Sequence, residues 1–100
     1  MSDLSSDIRL AVDSGKTSLG VNSVLDSIKK NTAKIIVVTS KNKPEDLREI
    51  GHTAKIAGVD VLKFDGDSMQ LGAVCGKPYS VAALSVIEPG NSNILNAGYK

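Results

Sequence analysis

The run Ile35-Ile36-Val37-Val38 constrains the fold of this chain more than any other stretch of its sequence. Four consecutive β-branched residues favour a strand, and a strand that is apolar on both sides is typical of a sheet covered on both faces. Polar residues bound the run, with Lys34 before it and the stretch from Thr39 to Lys43 after it. The run therefore predicts a central strand with helices packed on either side of the sheet.

Helical and extended patterns alternate along the rest of the chain. Apolar residues at helical spacing predict helices over residues 3 to 14, 21 to 30, 44 to 58, and from Asp67 or Ser68 to Gly76. Strands are expected over residues 60 to 64 and 80 to 87, a brief extended piece precedes Gly20, and residues 91 to 96 could form a terminal helical turn. Strands that alternate with helices of this length predict an α/β/α sandwich, whose ligand-binding loops lie at strand ends.

The length and the cysteine count set broad limits on the protein class. A chain of 100 residues has room for one domain with one modest core. No apolar run approaches the roughly 18 residues of a membrane span, and the N-terminus lacks the features of a secretory signal. The lone cysteine, Cys75, forbids an internal disulfide and fits a reducing compartment. We therefore expect a cytoplasmic protein with no membrane partner.

Residues that enzymes use near neutral pH are scarce in this sequence. Its one histidine, His52, falls inside the third predicted helix without a second residue at metal-ligand spacing, so a solvated or core-edge imidazole is expected. Cys75 is expected to be a buried, inert thiol. The stretch from Gly72 to Lys77 superficially resembles a phosphate-binding loop, but it does not follow a strand. The sequence therefore predicts a binding function, with no catalytic residue, metal, other cofactor or small-molecule substrate.

The charge balance neither indicates nor excludes a nucleic-acid partner. Twelve basic and 11 acidic residues give a net charge of +1, far from the basic excess of many RNA-coating proteins. Three aromatic residues are too few for a platform that stacks single-stranded bases: Phe64, Tyr79 and Tyr99. Local recognition of a shaped RNA site by a few residues stays compatible with this composition.

Several motifs, taken in order, resemble one protein family along nearly the whole chain. They are Ser14-Gly15-Lys16, Leu19-Gly20, the strand from Lys34 to Val38, Leu71-Gly72, Gly76-Lys77-Pro78, and the stretch from Ser80 to Gly90 followed by Ser92 and Ile94-Leu95. They are similar to those of the archaeal and eukaryotic large-subunit ribosomal protein family number thirty, within the kink-turn-binding superfamily. The resemblance implies a three-layer α/β/α sandwich with a four-stranded mixed sheet. It also implies that residues 1 to 100 form a single RNA-binding domain.

The resemblance implies that three loops at one end of the sandwich contact a kinked RNA duplex, whose bend is held by tandem sheared G·A pairs. The first loop enters the second helix, where Gly20 allows close backbone approach and Asn22 and Ser23 offer polar groups beside exposed amides. The second loop covers residues 39 to 43. There, either Lys41 contacts a phosphate or Asn42 contacts a base.

The third loop implied by the resemblance covers residues 77 to 81. Tyr79 would stack on a nucleotide, a contact worth roughly 1 to 3 kcal/mol, and Ser80 and Val81 would contact the RNA beside it. Lys16 and Lys77 are further candidates for phosphate contacts. The implied partner is large-subunit ribosomal RNA, with neighbouring ribosomal proteins as additional candidates.

Two other functions stay open. One is a kink-turn-binding protein of small guide-RNA particles, and the other is a protein-interaction adaptor on the same fold, which the nearly neutral charge would allow. The stretch Gly76-Lys77-Pro78-Tyr79 and the motif Ser14-Gly15-Lys16 favour the ribosomal function. An adaptor should ignore a kink-turn RNA, whereas both RNA hypotheses predict an affinity that falls as salt rises.

Overall fold

Helices and strands alternate in the computed structural model, which describes residues 4–39, 44–90, 92 and 94. The elements are α1 (Leu4–Ser14), β1 (Lys16–Leu19), α2 (Val21–Lys29), β2 (Ile35–Thr39), α3 (Pro44–Ala57), β3 (Asp60–Phe64), α4 (Ser68–Val74) and β4 (Ala83–Glu88). Apart from the start of the last strand, these bounds agree with the sequence-based ones to within about two residues. The terminal turn expected over residues 91 to 96 lies largely outside the described residues.

The four strands form one mixed sheet in the order β1-β4-β2-β3. β4 runs antiparallel to both β1 and β2, whereas β2 and β3 are parallel. β2 therefore lies inside the sheet, and all five of its residues are buried. The central strand predicted from its β-branched run is confirmed.

Successive residues of β2 point into two different cores. Ile35 and Val37 pack in one cluster with apolar residues of α1 and α4, whereas Ile36 and Val38 pack in a second cluster with apolar residues of α2 and α3. This alternation follows from the period of two of an extended chain. The sheet is thus covered on both faces, and the expected three-layer α/β/α sandwich is confirmed.

α4 has defined signals at both of its ends. At its start, the Asp67 carboxylate accepts a hydrogen bond from the Gln70 backbone amide, and the Gln70 side-chain oxygen accepts one from the Asp67 backbone amide, each at 2.9 Å. These two bonds form a capping box. At its end, Gly76 has a φ of 75°, its amide donates to Ala73, and the Lys77 amide donates to the Gly72 carbonyl at 2.9 Å. This pattern is a Schellman motif, which turns the chain back along the helix.

The last strand begins later than the sequence predicted, because residues 80 to 82 precede β4. The Thr39 amide still donates to the Ala82 carbonyl, at 3.2 Å. The Val81 amide, however, donates to the Ser68 carbonyl at 2.9 Å, which attaches this segment to α4. The prediction of a strand from residue 80 is therefore wrong, because a tertiary contact with α4 outweighs the local β propensity.

Candidate nucleic-acid interface

The register of the sheet brings three segments of the chain together at one end. Leu19 pairs with Leu84, and one step further the Gly20 amide donates to the Ala83 carbonyl at 2.7 Å. On the other side of β4, the Thr39 amide donates to the Ala82 carbonyl. The loop into α2, the loop after β2 and the loop before β4 therefore all meet the sheet at this end. We call it the loop end, defined by Gly20, Thr39 and Ala82.

Gly20 gives the first loop an open backbone surface. Its φ of 98° lies in a region that L side chains rarely adopt, and a Cβ added there would have nothing within 4 Å. Because Gly20 occupies the N-cap position of α2 and has no side chain, it provides no side-chain cap hydrogen bond to the first-turn amides. Asn22 and Ser23 are exposed in this first turn. The first loop thus presents backbone amides and polar side chains to a partner.

The second loop contains Lys41 and Asn42, both of which lie outside the described residues. Its two flanking residues are described: Thr39 ends β2 and Pro44 begins α3. Because Thr39 belongs to the loop end, the second loop leaves the sheet beside the other two. The choice between Lys41 and Asn42 stays a prediction.

The third loop runs back along α4, from the end of the helix towards its start. Two hydrogen bonds attach it to the helix: the Lys77 backbone amide donates to the Gly72 carbonyl and the Val81 backbone amide donates to the Ser68 carbonyl, each at 2.9 Å. Between them, Tyr79 keeps 53% of its surface exposed. Ser80 is exposed as well, whereas Val81 is buried in the first core cluster. The third loop therefore presents an aromatic ring to the solvent, while the buried Val81 side chain anchors the end of the loop in the core.

The sequence did not predict the contact that Tyr79 makes with α4. The carbonyl of Tyr79 lies directly against Gly72, where a Cβ would overlap with the carbonyl oxygen. A glycine inside a helical pattern costs about 1 kcal/mol relative to alanine, so its presence there is a sequence signal of close packing. The resemblance included Leu71-Gly72 without assigning this contact to it.

Two predicted site residues, Lys16 and Lys77, are not among the residues that define the loop end. Lys16 pairs with Glu88 at the opposite end of β1, which the strand rise places about 10 Å from Leu19. Lys77 follows the C-terminal end of α4, next to Gly76, against which the Arg9 guanidinium packs. The structure therefore places Gly20, Asn22, Ser23, Tyr79, Ser80 and Val81 on or beside the first and third loops, which meet the sheet at the loop end. Lys77 begins the third loop, and Lys16 lies at the opposite end of β1.

The remaining polar chemistry of the described residues is unremarkable. Burial raises the pKa of Cys75 to about 11, although the nearby charges of Lys77 and Arg9 act in the opposite direction. Its thiol therefore stays protonated at neutral pH. The side chain of His52, the other candidate for chemistry in the sequence, is exposed to solvent. In the part of the chain that the structure describes, no three residues of the types His, Cys, Asp and Glu are placed to hold a metal. Nor is any helix in this part long and apolar enough to cross a membrane.

Comparison with known proteins gives consistent matches over nearly the whole chain. Residues 2–96 match the family described as the ribosomal protein L7Ae/L30e/S12e/Gadd45 family. The large ribosomal subunit protein eL30 of Methanothermobacter thermautotrophicus is 44% identical over 94 residues, which cover 93% of this chain and 95% of the relative. The proteins of the same name from Methanosphaera stadtmanae and Methanococcus vannielii are 38% and 37% identical. Their matches cover 93% and 94% of this chain, and 95% and 90% of the relatives.

Proposed function

Because the chain belongs to the ribosomal protein L7Ae/L30e/S12e/Gadd45 family, we propose that it is a structural component of the large ribosomal subunit and binds a kinked segment of ribosomal RNA. Its role is binding without catalysis, in ribosomes of the cytoplasm. Residues 1 to 100 act as one RNA-binding domain, and the RNA lies against the loop end.

The convergence of the three loops is the observation that carries this proposal. Direct hydrogen bonds tie Gly20 to Ala83 and Thr39 to Ala82, so the loops start from neighbouring points of the sheet. A single nucleic-acid-binding module buries on the order of 600 to 1,000 Å² of protein surface. Loops that start this close together can share one such footprint.

Each loop has a distinct role in the proposed complex. The open face of Gly20 and the uncapped first turn of α2 receive a phosphate, because amides at a helix N-terminus favour anions. Asn22 and Ser23 bind base edges or sugars beside it. In the second loop, either Lys41 binds a phosphate or Asn42 binds a base.

In the third loop, the exposed ring of Tyr79 stacks on a nucleotide that the kink leaves unpaired. Ser80 adds a hydroxyl contact, and the buried Val81 holds the loop in place. Lys16, at the opposite end of β1, and Lys77, at the start of the third loop, contact the phosphates of the helical arms that flank the kink. Because few lysine side chains contact phosphates, the shape of the kinked RNA and the contacts to its bases supply most of the specificity.

Titration of a short kink-turn RNA tests the proposal. The matched control RNA has the same length, with its tandem G·A pairs replaced by Watson–Crick pairs. We expect the kink-turn RNA to bind on the order of a thousand-fold more tightly than the control, with an affinity that falls as salt rises. Equal affinity for the two RNAs, or binding to neither as an adaptor would show, contradicts the proposal.

Sedimentation separates the ribosomal role from a role in small guide-RNA particles. A tagged form of the chain should migrate with the large ribosomal subunit on a sucrose gradient and stay there until high salt weakens its phosphate contacts. A tagged form with both Gly20→Val and Tyr79→Ala serves as the control and should stay near the top. Migration of the unsubstituted protein with small ribonucleoprotein particles alone would favour the guide-RNA role.

A further inference from the structure

We propose that Gly72 is a positioning residue for RNA recognition, which places Tyr79 by letting the third loop lie directly on α4. The inference rests on the proposed function and deepens it. Gly72 itself touches no RNA in this proposal, because the backbone of the third loop covers it. It acts only through the position of Tyr79.

The geometry around Gly72 leaves no room for a side chain. A Cβ on Gly72 would overlap with the Tyr79 carbonyl oxygen, and it would lie 3.1 Å from the Tyr79 carbonyl carbon and 3.3 Å from the Ser80 Cα. All three are backbone atoms, which cannot rotate away as the end of a flexible side chain can. Any side chain at position 72 therefore pushes the third loop off the helix at the residue that carries the ring.

Hydrogen bonds hold the third loop on both sides of this contact. The Lys77 amide is bonded to the Gly72 carbonyl within the Schellman motif, and the Val81 amide is bonded to the Ser68 carbonyl one turn earlier in α4. The capping box at Asp67 fixes the start of the same helix. Because both ends of the loop are attached to α4, the space above Gly72 decides how far the backbone of Tyr79 stands from the helix.

Gly51 provides a matched control for a substitution at Gly72. It also lies inside a helix, α3, but a Cβ added to Gly51 would have nothing within 4 Å. Alanine has a higher helix propensity than glycine, so Gly51→Ala should keep or raise the stability of the protein. Gly51→Ala and Gly72→Ala thus make the same chemical change, and only Gly72→Ala meets the third loop.

A double-mutant cycle with Tyr79→Ala tests the proposal on the full chain with the kink-turn RNA. We expect Gly72→Ala to weaken binding by about 5- to 150-fold, the range of a lost stacking contact, while Gly51→Ala binds like the parent. Adding Tyr79→Ala to Gly72→Ala should cost less than about 2-fold further, because a displaced ring has little left to lose. Fully additive losses, or parent-like binding of Gly72→Ala, would overturn the proposal.

Amide hydrogen exchange in the free protein gives a readout that does not depend on RNA. In Gly72→Ala, the Val81 amide should exchange at least about 10-fold faster, whereas the Cys75 amide, bonded to the Leu71 carbonyl at the C-terminal end of α4, should keep its protection. Acceleration of both amides, or a variant that stays unfolded even when Gly51→Ala is added, overturns the proposal because Gly72 would then be a folding residue. If the parent fails to bind the RNA, the proposed function is contradicted. The exchange result still reports whether Gly72 allows the third loop to stay attached to α4.

Discussion

Tyr79 is the side chain on which the proposed RNA contact depends most, since its ring is half exposed on a loop attached to α4. We expect Tyr79→Ala to lower the affinity for a kink-turn RNA by roughly 5- to 150-fold. The slope of log affinity against log salt should barely change, because stacking releases no counterions. Titrations at several salt concentrations, with circular dichroism to confirm the fold, measure both quantities.

Lys41→Ala serves as the opposite case in the same titrations. Removal of one phosphate contact should flatten the salt slope by nearly one unit for a modest loss of affinity at low salt. If Tyr79→Ala binds like the parent at every salt concentration, the third loop does not stack on a base. If Lys41→Ala leaves the slope unchanged, Asn42 becomes the better candidate for the contact of the second loop.

Cys75 makes the stability of the protein depend on pH in the alkaline range. Burial raises the pKa of its thiol to about 11 in the folded state, from about 9 for an ordinary thiol. The unfolded chain therefore ionises first, and the stability that the neutral thiol contributes is complete below about pH 9 and is lost as pH rises towards 11. The loss should be on the order of 2 kcal/mol.

A comparison with Cys75→Ala isolates this effect from the lysines and tyrosines that titrate in the same range. We expect the difference in unfolding free energy between the parent and Cys75→Ala to shrink between pH 9 and pH 11. Urea unfolding at a series of pH values measures this difference. A difference that stays constant over this window would show that the thiol titrates alike in both states.

The sequence predicted which residues belong to the three loops better than it predicted their surroundings. The motif resemblance identified Gly20 and Tyr79, and the structure places them on loops that meet at the loop end. It could not show that β1 carries Lys16 to the opposite end of the sheet, or that Val81 turns into the core. Both facts depend on strand register and packing, which a resemblance of motifs does not contain.

Among the secondary structure elements, those with strong local signals were predicted best. α3 begins with Pro44 at its first position and has Glu45 and Asp46 in its first turn, as the helix dipole favours. β3 was predicted with its observed bounds, Asp60–Phe64. The start of β4 was missed because Val81 has a high β propensity and continues the apolar run of the strand, whereas in the structure its amide is bonded to the Ser68 carbonyl of α4.

The N-terminus of α4 allows a test at the scale of one element, because the sequence left Asp67 and Ser68 as alternative caps. In the structure, Asp67 is the N-cap and forms the capping box with Gln70. Asp67→Ala should therefore lower the free energy of unfolding by about 0.5 to 2 kcal/mol. Ser68→Ala is the matched control and should change it by less than about 0.5 kcal/mol. Urea denaturation compares the two variants, and a larger loss for Ser68→Ala would contradict the assignment of the cap.

At the scale of the whole molecule, one sheet lies between the two cores. The two ends of this sheet present different groups. At the loop end lie backbone amides, polar side chains and the loop that carries an exposed aromatic ring. At the far end, Lys16 pairs with Glu88, and the Lys34 amide donates to the Val86 carbonyl at 2.8 Å. The proposed function predicts that the RNA lies against the loop end, and that the far end meets it only through the phosphate contact of the Lys16 side chain.

Mapping of RNA-induced chemical shift changes on the backbone amides tests this assignment most directly. The isotopically labelled protein is titrated with the kink-turn RNA, and its amide resonances are followed residue by residue. We expect the largest changes at Gly20, Asn22, Ser80 and Val81, and small changes at Glu88, at the far end. Changes concentrated at the far end, or spread evenly over both ends, would contradict the assignment of the loop end as the RNA-binding surface.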